Sequence, residues 1–125
     1  MTSRKAARRD ALFVLYQWDV TGTPLASLHE GELDPYALEL AEGVAAEAAD
    51  LDGRISDASS DWSADRLGAL ERNILRIALW ELERGDIPLE AAIDEAVSLA
   101  KRYASEDAAR LVNGILGRVA REARR

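Results

Sequence analysis

The chain has 125 residues, enough for one domain with a proper hydrophobic core. Hydrophobic residues make up 48% of it, which excludes global disorder, and the lack of cysteine excludes disulfides, thiolate metal sites and thiol nucleophiles. The formal net charge of −7 gives an acidic protein whose charge is unevenly distributed: two ends at +3 each flank a middle at −13.

The apolar content is mostly Ala, Leu, Ile and Val, while Gly and Pro fall at segment edges, so helices are expected throughout. The first helix begins at Thr2 or Ser3, either of which can cap it. Ala7, Ala11, Val14, Leu15 and Trp18 form its buried stripe at helical spacing. Arg4 and Arg8 are four apart, as are Lys5 and Arg9, so the cations make two adjacent ridges. Cations at a helix N-terminus oppose the helix dipole, and a guanidinium ridge suits a phosphate backbone. The cations alone leave open an anion-binding face or a frayed basic end. Tyr16 reads as a core aromatic or as a stacking platform.

"TGTP" (21–24) breaks this helix, and residues 25–33 read as a short helix or an irregular link. Asp34 and Pro35 start the next helix as N-cap and first residue. It runs through Leu40, Val44, Ala48, Leu51 and Ile55, interrupted only weakly at Gly43 and Gly53. A polar break covers 56–63, followed by a short turn, an interruption at Gly68 and a strong helix over 69–84 that stops at Gly85. Pro88 starts an Ala-rich helix bearing Ala92, Ala96, Leu99, Ala100 and Tyr103, which a neighbouring helix can approach closely. Ser105 caps the last helix, whose apolar face holds Leu111, Val112, Ile115, Leu116 and Val119. The expected fold is all-α, six to seven helices in one domain of residues 1–125, with sequential helical subdomains at 1–60 and 61–125.

Catalysis is poorly supported. His29 lies in an acidic, weakly structured stretch and reads as a solvated loop residue, and there is no nucleophile elbow or phosphate loop. Carboxylates such as Glu39, Glu42 and Asp50 read as a solvated face, so no catalytic residue, metal or cofactor is expected. The C-terminal Arg118, Arg121, Arg124 and Arg125 suit a helix C-terminus electrostatically. No apolar run approaches the roughly eighteen residues of a membrane span and no signal peptide is discernible, so a cytoplasmic protein is expected.

Three stretches, "ARRDALFVLYQWD" (7–19), "ALERNILRIALWEL" (69–82) and "AIDEAVSLAKRYASEDAARLVNGILGRVA" (92–120), together resemble the NusB family of bacterial transcription antitermination factors. "VNGILG" (112–117) is the most specific portion, and residues 20–60 match only loosely. The resemblance implies a NusB-like fold of two helical subdomains and a non-enzymatic role. That role is binding boxA-type single-stranded rRNA leader RNA jointly with the ribosomal protein NusE, in support of rRNA transcription by an RNA polymerase antitermination complex. It maps RNA binding onto Arg4, Lys5, Arg8, Arg9 and Tyr16, and NusE binding onto Tyr16, Asp65, Glu71, Asp107 and Leu111. Ala6 and Ala7 interrupt the family's arginine run. Leu111 stands where many relatives have Phe, and Asp94 replaces the usual Asn.

Inside the same reading, Asn113 and Gly114 are expected to let two helices pack closely, and Arg76 and Glu95 to pair across helices. Trp80 and Tyr103 are expected in the core. Two alternatives remain: a protein-interaction module or homodimer with no RNA role of its own, or a stand-alone RNA-recruiting domain like that of RNA cytosine methyltransferases. The latter is normally fused to a catalytic half, and none is expected in these 125 residues.

Overall fold

The computed structural model describes residues 3–29, 31–59, 63–85 and 87–123. Among these the fold is all-α: α1 (Arg4–Thr21), α2 (Ala26–His29), α3 (Pro35–Ala46), α4 (Ala48–Ala58), a 3-10 turn (Ala64–Arg66), α5 (Ala69–Arg84), α6 (Leu89–Tyr103) and α7 (Glu106–Ala123). Local chemistry sets most of the ends. Ser3 Oγ accepts from the Ala6 amide at 3.1 Å, Asp34 Oδ2 from the Tyr36 amide at 2.9 Å, and Ser105 Oγ from the Ala108 amide at 2.9 Å. Gly22 and Gly85 close α1 and α5 in the left-handed conformation, with φ of 73° and 72°. Thr2, the other candidate cap, lies outside the described residues.

α5 is the central helix. It touches α1, α3, α4, α6 and α7, and every residue from Asn73 to Glu81 is buried. Around it one hydrophobic cluster draws Leu12 and Leu15 from α1, Leu40 and Val44 from α3, Leu51 and Ile55 from α4, Leu99 from α6, and Val112 and Leu116 from α7. α6 and α7 pack against each other, with Ala96 and Ala100 of α6 buried as small residues that allow close approach.

The expected single helix over 35–55 is two helices. Its break falls at Glu47, between the two glycines, where Trp80 of α5 packs. The Trp80 ring of α5 lies so close to Gly43 that a Cβ there would sit 2.4 Å from ring atoms. Glu47 Oε2 accepts from Trp80 Nε1 at 2.9 Å and from Arg84 Nη2 at 3.2 Å, and the Arg84 guanidinium stacks 4.3 Å from the Trp80 ring centre. Trp80 is core, as expected.

Buried polar residues lie among the apolar ones of α5 and form two clamps. On one side Glu81 receives Arg8 of α1 and the Tyr36 hydroxyl of α3. On the other, Arg76 pairs with Asp52 of α4 through two bonds of 2.7 and 2.6 Å, and with Asp19 of α1 at 3.2 Å. Arg76 therefore does not take Glu95 as its partner, contrary to expectation. It turns to α4 and the end of α1, while Glu95 lies 3.8 Å from Arg8. Asn113 and Gly114 are both exposed, and a Cβ at Gly114 would meet nothing within 4 Å, so this pair does not mediate close helix packing.

Candidate functional site

The two cation ridges of α1 have different fates. Arg8 is buried, with Nε 2.7 Å from Glu81 Oε1 and Nη2 2.9 Å from Glu81 Oε2, a two-pronged ion pair. This corrects the expectation of Arg8 as a surface cation: both prongs of its guanidinium are committed inside the protein. Arg4, one turn earlier, is exposed and lies 4.5 Å over the Tyr36 ring. Tyr36 in turn donates its hydroxyl to Glu81 Oε2 at 2.6 Å. Burial first, then that hydrogen bond and the Glu81 charge, push the Tyr36 phenol well above its ordinary range.

The second ridge, Lys5 and Arg9, faces α6. Between them runs a groove of about 550 Å³, walled on the α6 side by Lys101, Arg102, Tyr103 and Glu95. Lys101 and Arg102 occupy the last turn of α6, where the helix dipole favours cations. Four cations thus converge on one groove against a single lining carboxylate, Glu95, which itself reaches toward Arg8. Asp10 bonds Arg9 Nε at 3.1 Å and is the first cause of the raised Arg9 titration, with a smaller contribution from Tyr103. Cations thus outnumber carboxylates along the groove, and such an excess of one sign raises the local concentration of an anion.

Lys101 and Arg102 were not among the residues singled out from sequence. The signal for them was the pairing of "KR" at the end of an Ala-rich helix, which the fold brings beside Lys5 and Arg9. Tyr103, expected in the core, is half-buried and lines the groove.

The residues expected to meet a partner protein fall into two groups. Tyr16 is 39% exposed on α1, which places it on the surface rather than in the core. One turn on, Asp19 Oδ2 receives Arg72 Nε at 2.8 Å and Asn73 Nδ2 at 3.0 Å, tying the end of α1 to the start of α5. Arg72 Nη1 also donates to the carbonyls of Leu67 and Ala64, at 2.8 and 3.2 Å. Arg72 therefore joins three segments carrying Tyr16, Asp65 and Glu71 at one corner. Asp65 is exposed in the 3-10 turn and accepts from Ser63 Oγ, which is the first cause holding its carboxyl below the usual range. The Glu71 carboxylate folds back over Gly68, where a Cβ would lie 2.2 Å from Oε2.

Asp107 and Leu111 stand instead on α7. Asp107 is exposed and paired with Arg110, while Leu111 is half-buried against the core. Arg118 pairs with Glu122 at 3.4 Å, and Arg124 and Arg125 lie outside the described residues. His29 Nδ1 accepts from the Gly31 amide at 3.0 Å, a loop contact. Among the described residues no three His, Asp or Glu side chains converge as a metal site, and no helix is long and apolar enough to cross a membrane.

The family model described as "NusB family" matches residues 5–121. A transcription antitermination protein NusB from Solibacter usitatus is 37% identical, over 98% of this chain and 91% of that protein. One from Rubrobacter xylanophilus is 43% identical, over 91% of this chain and 87% of that protein. Among solved structures, NusB from T. maritima superposes with a TM-score of 0.83 at 34% identity, covering 97% of this chain and 92% of that one. A crystal structure of the antitermination factors NusB and NusE in complex with double-stranded RNA also matches at 0.83, with 32% identity, 95% of this chain and 96% of that one.

Proposed function

This chain belongs to the NusB family, and on that basis we propose that it is an RNA-binding transcription antitermination factor. It binds boxA-type RNA together with the ribosomal protein NusE, supports rRNA transcription as part of an RNA polymerase antitermination complex, and acts in the cytoplasm without catalysing a reaction. The observation that carries this reading is the groove between α1 and α6, where Lys5, Arg9, Lys101 and Arg102 gather on an otherwise acidic protein. A phosphodiester chain is the extended anion such a groove suits, because each phosphate it neutralises releases counterions, and that release favours binding.

Roles then divide by position. Lys5, Arg9, Lys101 and Arg102 hold phosphates, and Arg4 extends the basic face toward α3. Arg8 serves indirectly, by fixing the rotation of α1 so that Lys5 and Arg9 point into the groove. The acidic corner of Asp65 and Glu71, with Tyr16 beside it, meets NusE, and Asp107 and Leu111 extend that surface on α7. A basic ribosomal protein would be steered to it by opposite charge. The sequential halves, 1–60 and 61–125, act as one unit, since the groove takes α1 from the first and α6 from the second.

The test is a titration of labelled boxA-type RNA with the protein, alone and with NusE, at several salt concentrations. Changing Lys5, Arg9, Lys101 and Arg102 together to Ala is expected to weaken ternary binding. It should also flatten the salt dependence by about 0.7 in log–log slope for each phosphate that is no longer neutralised. An unchanged ternary affinity would overturn the reading. A protein-interaction module without RNA binding would instead lose NusE on Glu71→Lys and show no response to RNA at all.

A further inference from the structure

The cationic ridge of α1 does not end at Arg9. Lys5, Arg9 and Phe13 are spaced four apart, so the next position on the ridge is an aromatic ring, and that ring is 42% exposed. Phe13 is held in place by Tyr103, edge against face, with ring centres 5.1 Å apart and planes at 87°. Tyr103 belongs to the wall of the basic groove, and the Arg102 guanidinium lies 5.8 Å from its ring centre. Phe13 is not part of the core cluster, yet its ring is braced by Tyr103, a residue that lines the groove on which four cations converge.

Cations one helical turn from a braced, partly exposed aromatic ring reproduce the two elements that hold single-stranded nucleic acid: charge for the backbone and a ring for the base. We propose that Phe13, braced by Tyr103, is a stacking platform for an unpaired RNA base whose flanking phosphates lie against Lys5, Arg9, Lys101 and Arg102. The proposal rests on the RNA-binding reading above and adds to it the side chain that takes an unpaired base. A base in a duplex is already stacked on its neighbours, so the ring has nothing to offer it.

The experiment uses the full chain with NusE and boxA-type single-stranded oligoribonucleotides carrying 2-aminopurine at successive positions, with the duplex of the same sequence as comparison. Phe13→Ala is expected to weaken single-strand binding roughly 5- to 150-fold, the range for loss of one aromatic–base stack. The salt slope and the duplex affinity should stay unchanged. One 2-aminopurine position should be quenched by the wild type and not by Phe13→Ala, and Phe13→Trp should restore both quenching and affinity. Because Phe13 is a surface residue, thermal unfolding of each variant serves as the folding control.

Wild-type affinity for Phe13→Leu would overturn the proposal, since any apolar side chain would then suffice. So would Phe13→Ala losing NusE in the absence of RNA, which would make the ring a protein contact. Unchanged affinity in Phe13→Ala, while Lys5→Ala and Arg9→Ala weaken binding, overturns the platform alone. Unchanged affinity in all three overturns RNA binding at this groove.

Discussion

Arg8 and Glu81 lie 73 positions apart in sequence and meet through two bonds of 2.7 and 2.9 Å, with only 5% and 2% of each residue exposed. The pair joins the start of α1 to the middle of the central helix. It also holds Arg8 inward while Arg4, Lys5 and Arg9 stay at the surface. Removing one partner of a buried pair strands the other charge, so Arg8→Ala is expected to lose about 3–5 kcal/mol of stability. Lys5→Ala and Arg9→Ala, at the surface, should stay within about 0.5 kcal/mol of wild type. Urea unfolding measures all three, and equal effects would remove Arg8 from its structural role.

Tyr36 links the same pair to the surface, donating to Glu81 and carrying Arg4 on its ring. Its phenol titrates above the usual range because burial and the Glu81 carboxylate disfavour the phenolate. A raised folded value means the stabilisation is fully present below the unfolded pKa, about 10, and is lost as pH rises toward the folded value. Stability of the wild type should therefore fall as pH climbs above about 10, and Tyr36→Phe should remove that part of the slope. At neutral pH the variant is expected to lose about 1.5–3 kcal/mol, the worth of a hydrogen bond to a charged group. Chemical unfolding at stepped pH checks both.

How much was legible in sequence divides along the range of the interactions. Helix ends set by neighbours were readable: Ser3, Asp34 with Pro35, Gly85 and Ser105 each act within a turn of their own position. The break at Glu47 was not, and the contacts made there come from Trp80 on another helix. Periodicity marks Arg76 as inward-facing but cannot say which carboxylate faces it, and Asp52 and Asp19 answer instead of Glu95. The basic start of α1 was visible as charge, whereas its division into a buried Arg8 and a groove-facing Lys5 and Arg9 needed Glu81 and the far end of α6. The partner residues near α5 came from resemblance, and Arg72, which joins their segments, has no local signature.

Arg72 yields a separate prediction. Through Asp19, Ala64 and Leu67 it ties together the segments that bear Tyr16, Asp65 and Glu71. Arg72→Ala should weaken NusE binding while leaving the cations of the α1–α6 groove in place. Calorimetry with NusE alone is expected to show the loss, and the salt slope of RNA binding is expected to be unchanged. A matched loss of groove-dependent RNA binding would mean that Arg72 supports the whole fold rather than this corner.

The glycines separate packing from permissiveness. At Gly43 an added methyl group meets the Trp80 ring, so Gly43→Ala is expected to cost about 1–3 kcal/mol through forced repacking of a core aromatic. At Gly53 and Gly114, both inside helices, the same change meets nothing within 4 Å. There the lower entropy of the unfolded alanine chain should add about 0.5–1 kcal/mol of stability. Thermal unfolding of the three variants should therefore give one loss and two gains. Gly114 is the informative case, because it sits in the most family-like stretch of the chain yet does no packing. If Gly114→Ala gains stability while weakening NusE or RNA binding, the bare helix surface at Asn113 and Gly114 is needed for close approach by a partner. If binding is unchanged, that surface is solvent-facing in the complex as well.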